Sequence, residues 1–328
     1  MSQKTVLALA ITGIVGIGVV ASAVAFGQPR EPVCEPLAQS GKASSLVEVV
    51  DAELPDTPPE VTFPTPLVTK GQELTVVQSG DGVAAVPGAA VDFQVAAYLG
   101  STGQLLTASS YIPEESVRRV ADPDSDDFFS RALTCATAGD QLVITDTIES
   151  IFGPIPEDNI VQNDSTVVVV VDVTGSFLEA ANGRTQAFQS GAPNVVEHPE
   201  GFHGVTIPMG PPPAELQVFT LKAGEGEPLE EGQTSVVNFT GVVWETKQVF
   251  SSSFEQGIPL DVTLVDGSAD GASSGVIGGI FEGLVGQTIG SRVAVVIPPG
   301  AGYPEGGGPP GVPEGSTVVY VFDILGAK

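Results

Sequence analysis

Two stretches of this chain occur twice, at one constant spacing. Leu133–Thr145 (LTCATAGDQLVIT) matches Leu284–Val296 (LVGQTIGSRVAVV), and Ser165–Gly175 (STVVVVVDVTG) matches Ser316–Gly326 (STVVYVFDILG), each match lying 151 residues further along the chain. Because both blocks share one spacing with no gap between them, they indicate two copies of one structural unit. At 328 residues the chain has room for two domains of ordinary size, each with its own core.

Both copies are predicted to consist mainly of β-strands. The chain has 40 Gly and 27 Pro but only 6% aromatic residues, which favours turn-rich β architecture over a helix bundle. Alternating or β-branched runs predict three strands in each copy: Val91–Ala97, Gln141–Ile148, Ser165–Val173, Thr234–Trp244, Arg292–Ile297 and Thr317–Leu325. Ser165–Val173 is a continuous β-branched run, as expected of a strand covered on both faces. Only Gly279–Leu284 is predicted to be helical, so the fold class is α+β.

The segments outside the two domains are predicted to be a targeting segment and two linkers. Residues 1–27 contain an apolar run, Val6–Phe26, that is long enough to span a bilayer and has small residues typical of a signal-peptidase site. A cleaved signal peptide and a membrane anchor both fit this pattern, and both predict an extracytoplasmic protein. The rest of the chain is predicted to divide into four segments. They are a disordered linker rich in Pro and acidic residues at 28–66, a first domain at 67–180, a second linker at 181–213 and a second domain at 214–328.

The charge and the cysteines restrict the partners and the compartment. The formal net charge is −28, which argues against nucleic acid as a partner, because phosphate binding needs clustered Lys and Arg. The same charge favours solubility and suppresses self-association, so a monomer is expected. Cys34 and Cys135 allow one disulfide, which an oxidising compartment would permit.

No metal and no other cofactor is predicted. His198 and His203 lie in a stretch rich in Pro and Gly, without accompanying Cys, and fit no zinc spacing, so they are predicted to be solvent-exposed. The acidic run Asp122–Asp127 (DPDSDD) lacks the Gly at position six of a calcium loop, and Leu133 replaces the Glu at position twelve. This run is therefore predicted to be a solvated acidic loop.

Four pieces of the second copy together carry a family resemblance. They are Gln248–Phe254 (QVFSSSF), Gly275–Val293 (GVIGGIFEGLVGQTIGSRV), Val296–Gly306 (VIPPGAGYPEG) and Gly311–Leu325 (GVPEGSTVVYVFDIL). In this order they resemble the FKBP-type peptidyl-prolyl cis-trans isomerases. Since the copies match, the resemblance implies two tandem FKBP-like domains, each a twisted antiparallel β-sheet wrapped on a short helix. It also implies a cofactor-free enzyme that acts on proline-containing polypeptides, and the N-terminal segment predicts that these clients are exported proteins.

The resemblance also implies a pocket built from particular residues of the second copy. The expected catalytic residues are Phe250, a ring of the pocket, Ile277, whose backbone N–H meets the ligand carbonyl, and Tyr303, a hydroxyl donor. The expected substrate-binding residues are Phe239, Ser251, Leu260, Val276, Ile280, Val312 and Tyr320. Such a pocket suits the reaction, because the twisted X–Pro amide is less dipolar than the planar amide and an apolar, water-poor site favours it.

Four positions of the second copy depart from the family pattern. Ser251 replaces an Asp, Ile280 a Trp, Phe239 a Tyr and Pro304 a Gly. These departures leave an alternative function open, in which the domain is a binding or chaperone module with weak or no catalysis.

The first copy lacks parts of the pocket. At the constant spacing, Tyr303 falls on Phe152, which has no hydroxyl, and Ile277 falls on Asp126. A carboxylate would disrupt an apolar pocket, because an unpaired charge is costly to desolvate. The first copy is therefore predicted to be a degenerate domain without isomerase activity.

Overall fold

Strands dominate the secondary structure of the computed structural model, as predicted. The structure describes residues 34, 36, 38–50, 56–156, 161–197, 203–267, 275–303 and 308–328. The predicted targeting segment at 1–27 lies outside these residues, as do His198 and Pro304. Among the described residues, no helix has the length and apolarity needed to span a bilayer.

The described first half of the chain forms one large antiparallel sheet preceded by a hairpin. Its strands are β1 (Glu48–Val50), β2 (Glu60–Thr62), β3 (Glu73–Gln78), β4 (Ala90–Leu99), β5 (Leu105–Ala108), β6 (Val117–Val120), β7 (Gln141–Thr147) and β8 (Thr166–Ser176). The sheet has the order β3-β7-β8-β4-β5, and β6 also pairs with β4. Two short helices, α1 (Phe128–Ala132) and α2 (Ile148–Phe152), and 3₁₀ turns at Ser44–Leu46 and Pro113–Glu115 belong to this half.

The second half repeats this arrangement. Its strands are β9 (Arg184–Thr185), β10 (Asn194–Glu197), β11 (His203–Thr206), β12 (Gln217–Ala223), β13 (Thr234–Val243), β14 (Val249–Ser252), β15 (Leu260–Thr263), β16 (Arg292–Ile297) and β17 (Val318–Ala327). The sheet has the order β14-β13-β17-β16-β12-β9, and β15 also pairs with β13. The helix α3 (Gly278–Leu284) is the one predicted, and 3₁₀ turns occupy Ser253–Glu255 and Pro299–Ala301.

The two sheets agree in strand order and in register. The strands β3 to β8 correspond, in order and in pairing, to β12 to β17. Their irregularities match as well: the pairing of β4 with β8 shifts between Asp92 and Phe93, and that of β13 with β17 shifts between Val236 and Val237. The prediction of two tandem domains of one α+β fold is confirmed.

The prediction that 28–66 and 181–213 are linkers is wrong in part, because both segments contain paired strands. In the first, Val49 of β1 lies opposite Val61 of β2, and in the second, Val195 of β10 lies opposite Val205 of β11. Each hairpin precedes the six equivalent strands of its own domain, so it belongs to the repeated unit. A short sequence signal was available, because Val-Thr-Phe-Pro at 61–64 matches Val-Thr-Ile-Pro at 205–208.

The hairpins form because each sheet is apolar on both faces. Along β8, Val167 and Val169 pack in the cluster that contains the helix α1, whereas Val168 and Val170 pack in a second cluster with Val61 of the hairpin. A short helix covers only one face of a sheet, so the other face needs a second layer. In the second domain the hairpin β10–β11 packs in the corresponding cluster.

His203 is buried, so the prediction of a solvent-exposed loop histidine is wrong for this residue. Only 5% of it is exposed, and its Nε2 lies 2.7 Å from Nη2 of Arg292. Arg292 in turn donates to both carboxylate oxygens of Asp323, at 2.6 and 2.8 Å. The reason is the second hairpin, which brings His203 onto a sheet face where Arg292 and Asp323 are opposite neighbours.

Two kinds of contact hold the described segments together. Cys34 and Cys135 form a disulfide, which ties the segment before the first hairpin to the first domain. At the junction of the domains, the N–H of Leu178 donates to the carbonyl of Leu325, and Arg118 of the first domain pairs with Asp261 of the second at 2.7 Å. The acidic run Asp122–Asp127 is largely exposed, as predicted.

Candidate active site

Two glycines allow the helix α3 to lie directly against β16. A Cβ on Gly279 would come within 2.4 Å of Cγ2 of Ile297, and one on Gly283 within 2.7 Å of Cγ2 of Val295. These distances are shorter than any real contact, so the close approach requires glycine at both positions. The close packing places Ile280 in the core with 8% exposed and puts Ile277 at the start of the helix, on the pocket side.

Four aromatic rings form a wall beside this helix. Tyr320 on β17 packs edge-on against Phe250, with centroids 5.5 Å apart, and stacks on Phe322 at 5.4 Å. Phe239 lies 5.7 Å from Tyr320. Gly241, which pairs with Tyr320, leaves room for Phe250, because a Cβ there would lie 2.7 Å from its ring. The result is an apolar surface with little freedom for its side chains to move.

The site has two candidate hydrogen-bond donors. Tyr303 follows the 3₁₀ turn Pro299–Ala301, and its hydroxyl is hydrogen-bonded to that of Tyr320. Burial raises the pKa of both tyrosines, so both remain protonated near neutral pH. No hydrogen bond among the described residues uses the N–H of Ile277, which leaves it free for a ligand.

Eight of the predicted site residues lie in one apolar cluster. They are Phe239, Phe250, Val276, Ile277, Ile280, Tyr303, Val312 and Tyr320. A cavity of about 130 Å³ adjoins Tyr303 and Val312 on the side of the loop that leads into β17. The predicted pocket residues are thus brought together from five separate parts of the second domain.

Ser251 and Leu260 are placed differently. Ser251 pairs with Gly241 at the edge strand β14 and is half-buried. Leu260 on β15 does not join the apolar cluster; it lines a crevice at the junction of the domains together with Arg118 and Asp261. Leu260 thus lies outside the apolar cluster that contains eight of the other predicted pocket residues.

Two residues of the site were not predicted. Phe322 forms part of the aromatic wall, and its place two residues after Tyr320 on one strand was a signal for this. Ser253 is fully buried; its hydroxyl accepts from the N–H of Phe239 and donates to Oδ1 of Asn238, each at 2.9 Å. It fixes the strand that carries Phe239 to the segment that carries Phe250.

The first domain has the same framework without the aromatic wall. Phe250 is the extra residue where the pairing of β14 with β13 shifts its register. Leu106 is the extra residue at the equivalent shift between β5 and β4 of the first domain. The other three rings of the wall correspond to valines. In the second domain Phe239 pairs with Phe322, and at the equivalent place in the first domain Val95 pairs with Val171. The positions equivalent to the aromatic wall are therefore Val95, Leu106, Val169 and Val171.

The remaining differences also separate the first domain from the second. Phe152, which matches Tyr303, is 45% exposed at the end of α2, and Asp126, which matches Ile277, is exposed. In the described part of the first domain, the aromatic rings of the wall, the hydroxyl donor and the apolar residue at the helix start are thus replaced by other residues. That this domain lacks isomerase activity stays a prediction.

The site thus combines an antiparallel sheet on a short helix with an aromatic wall and with hydroxyl and amide donors at its edge. The family profile of the FKBP-type peptidyl-prolyl cis-trans isomerases matches residues 225–325. An FK506-binding protein of Streptomyces anulatus is 32% identical over 131 residues, which are 40% of this chain and 97% of that protein. The chain belongs to the FKBP-type peptidyl-prolyl cis-trans isomerase family, and its enzyme class is that of the family.

A second relative shows the same likeness. A "Probable FK506-binding protein" of Corynebacterium glutamicum is 34% identical over 128 residues, or 38% of this chain and 96% of that protein. Among solved structures, the three FKBP domains of wheat FKBP73 align with 79% of this chain and 95% of theirs, at 17% identity and a TM-score of 0.33.

Proposed function

We propose that the second domain catalyses cis-trans isomerisation of X–Pro bonds in exported polypeptides and thereby assists their folding. The uncatalysed reaction crosses a barrier of ~20 kcal/mol and takes tens to hundreds of seconds, which is slow enough to limit folding. No nucleophile and no general base is needed, because catalysis requires only that the twisted amide be bound better than the planar one.

The observation that carries this proposal is the joint placement of Phe250, Ile277 and Tyr303. The aromatic wall around Phe250 supplies an apolar surface that favours the less dipolar twisted amide. The free N–H of Ile277 and the hydroxyl of Tyr303 are donors on residues of the same apolar cluster, available to hold the carbonyl oxygens of a bound chain. The site thus offers binding and orientation with its own residues, without a cofactor.

Two features support an extracytoplasmic location. The disulfide between Cys34 and Cys135 belongs to proteins of oxidising compartments. The apolar run Val6–Phe26 has the length and flanking residues of a signal peptide or a membrane anchor. The expected partners are therefore proline-containing chains that fold outside the cytoplasm. We expect the acidic protein to bind them as a monomer. Where it is not cleaved, the apolar run would anchor the protein to the membrane.

The test measures isomerisation of a short Leu–Pro peptide by NMR exchange spectroscopy with the full-length protein. We expect acceleration by the wild type and a loss of about tenfold or more in Ile277→Asp, because a carboxylate in the apolar site must be desolvated. Val76→Asp is the matched control, since Val76 is 47% exposed in the first domain. Phe152→Ala, at the position matching Tyr303, should leave the rate unchanged.

The alternative function has its own outcome in this test. If the wild type does not accelerate isomerisation, the catalytic proposal is wrong. If the same protein nevertheless binds the peptide, and Ile277→Asp abolishes binding, the domain is a peptide-binding module. The replacement of the family's Asp by Ser251, half-buried at the pocket edge strand, is the observation that favours this alternative.

A further inference from the structure

Tyr320 carries a hydroxyl that an apolar wall does not require. The residue is 5% exposed, and the rings of Phe239, Phe250 and Phe322 surround it. In the part of the chain that the structure describes, its hydroxyl has one partner, the hydroxyl of Tyr303. A phenylalanine would fill the same space without burying a polar group, so the hydroxyl needs an explanation.

The direction of this hydrogen bond follows from the surroundings of the two hydroxyls. If Tyr303 donated to Tyr320, the proton of Tyr320 would face aromatic rings and have no acceptor, which is unfavourable for a buried donor. If Tyr320 donates, its proton is satisfied and the O–H of Tyr303, on the more exposed residue, is left for another acceptor. Burial raises the pKa of Tyr303, so its hydroxyl keeps the proton that it would donate.

The first domain shows what happens when both hydroxyls are absent. Val169 stands where the second domain has Tyr320, and Phe152 stands where it has Tyr303. The ring of Phe152 is 45% exposed, whereas Tyr303 packs against the core of its domain. Thus both hydroxyls are present in the domain with the pocket and both are missing in the domain without it.

We propose that Tyr320 is a positioning residue, whose hydroxyl donates to Tyr303 and directs the Tyr303 O–H toward the carbonyl oxygen of a bound X–Pro segment. This inference rests on the proposed isomerase function. In the resulting pair of consecutive hydrogen bonds, each hydroxyl proton has one acceptor. The hydrogen bond that Tyr303 accepts strengthens the hydrogen bond that it donates. The donor is thereby aligned before the peptide binds, so less ordering is needed at the transition state.

The experiment is a double-mutant cycle on the full-length protein. Tyr303→Phe, Tyr320→Phe and the double variant are compared with the wild type in kcat/KM for the Leu–Pro peptide and in affinity for the same peptide. We expect each single variant to lose about three- to tenfold in kcat/KM, the range of one net hydrogen bond. The double variant should lose no more than Tyr303→Phe, because the Tyr320 hydroxyl then has nothing to position.

A spectroscopic measurement separates positioning from a general structural effect. The chain has four tyrosines, so ¹³Cζ labelling gives four signals. Tyr320→Phe should shift the signal of Tyr303, whose oxygen loses an accepted hydrogen bond. Tyr98→Phe is the matched control, because Tyr98 is a 6% exposed tyrosine whose hydroxyl donates to the carbonyl of Pro59 in the first domain. It should change neither that signal nor kcat/KM.

Several results would overturn the proposal. Tyr320→Phe with unchanged kcat/KM, or a double variant in which the two losses multiply, would show that the two hydroxyls act independently. An unshifted Tyr303 signal would show that Tyr320 does not donate to it. If the wild type lacks isomerase activity, the proposed function fails alone, and the same cycle in peptide affinity decides the positioning role.

Discussion

Protonation of His203 is expected to destabilise the second domain, and the structure gives the sign of the effect. The imidazole is almost fully buried, with Arg292, Asp323, Glu197 and Lys222 as its charged neighbours. Burial lowers the pKa of His203 below its ordinary value, and Arg292 lowers it further, while Asp323 at 3.5 Å acts in the opposite direction without prevailing. The imidazole is therefore neutral in the folded protein, and its Nε2 accepts from Arg292.

The magnitude follows from proton linkage. In the unfolded chain His203 takes up a proton around its ordinary pKa of ~6.5, whereas the folded chain resists it. The stability contributed by neutral His203 is thus present above pH ~6.5 and is lost as the pH falls below it, at up to about 1.4 kcal/mol per pH unit for one proton. Glu197 does not titrate in the pH range of His203, because the hydrogen bonds from Lys222 and Arg292 lower the pKa of Glu197 to about 2.

The assay is urea unfolding followed by tryptophan fluorescence at pH values from 7.5 to 5.5. The chain has one tryptophan, Trp244, which is 4% exposed and packs in the cluster that contains the second hairpin. The free energy of unfolding should decrease toward pH 5.5 in the wild type and in His198→Gln. It should become nearly flat in His203→Asn. An equal slope in wild type and His203→Asn would refute the reasoning, because groups other than His203 would then be responsible.

Two further predictions concern the framework of the site and the first domain. Gly279→Ala should lower the melting temperature, since its Cβ would lie 2.4 Å from Ile297, and overpacking costs about 1–3 kcal/mol; Gly300→Ala, which meets nothing within 4 Å, is the control. A melting temperature of Gly279→Ala equal to that of the control would show that α3 can move away from the sheet. Reducing the bond between Cys34 and Cys135, which are 101 residues apart, should destabilise the first domain by about 2–5 kcal/mol and leave isomerisation unchanged. Loss of isomerase activity on reduction would show that the second domain depends on the first.

Much of the fold could be predicted because strand patterns are local. The β-branched run of β8 and the alternating residues of β17 specify strands from a few neighbouring residues, and the constant spacing shows that they are equivalent. Phe250, Ile277 and Tyr303 were likewise assigned from short motifs. Leu260 was assigned in the same way, but the fold places it at the domain junction.

The hairpins could not be predicted in this way. Val49–Val50 and Val195–Val196 are too short, and too close to Pro and acidic residues, to indicate strands by themselves. They pair because an apolar sheet face lies next to them in the folded chain, and that face includes residues more than a hundred positions away, such as Val168 for Val49 and Val319 for Val195. A strand of this kind is stabilised by tertiary packing rather than by its own propensity.

By itself, the sequence determined that the chain has two copies of one strand-rich unit, and that only the second has the residues of an aromatic pocket. These are properties of residue type and spacing, which act over a few neighbours. Only the tertiary structure decided that His203 is buried beside Arg292, 89 residues away, and that the hydroxyls of Tyr303 and Tyr320 meet. Burial and hydrogen-bond partners depend on which distant segments pack together, and that packing is a property of the whole fold.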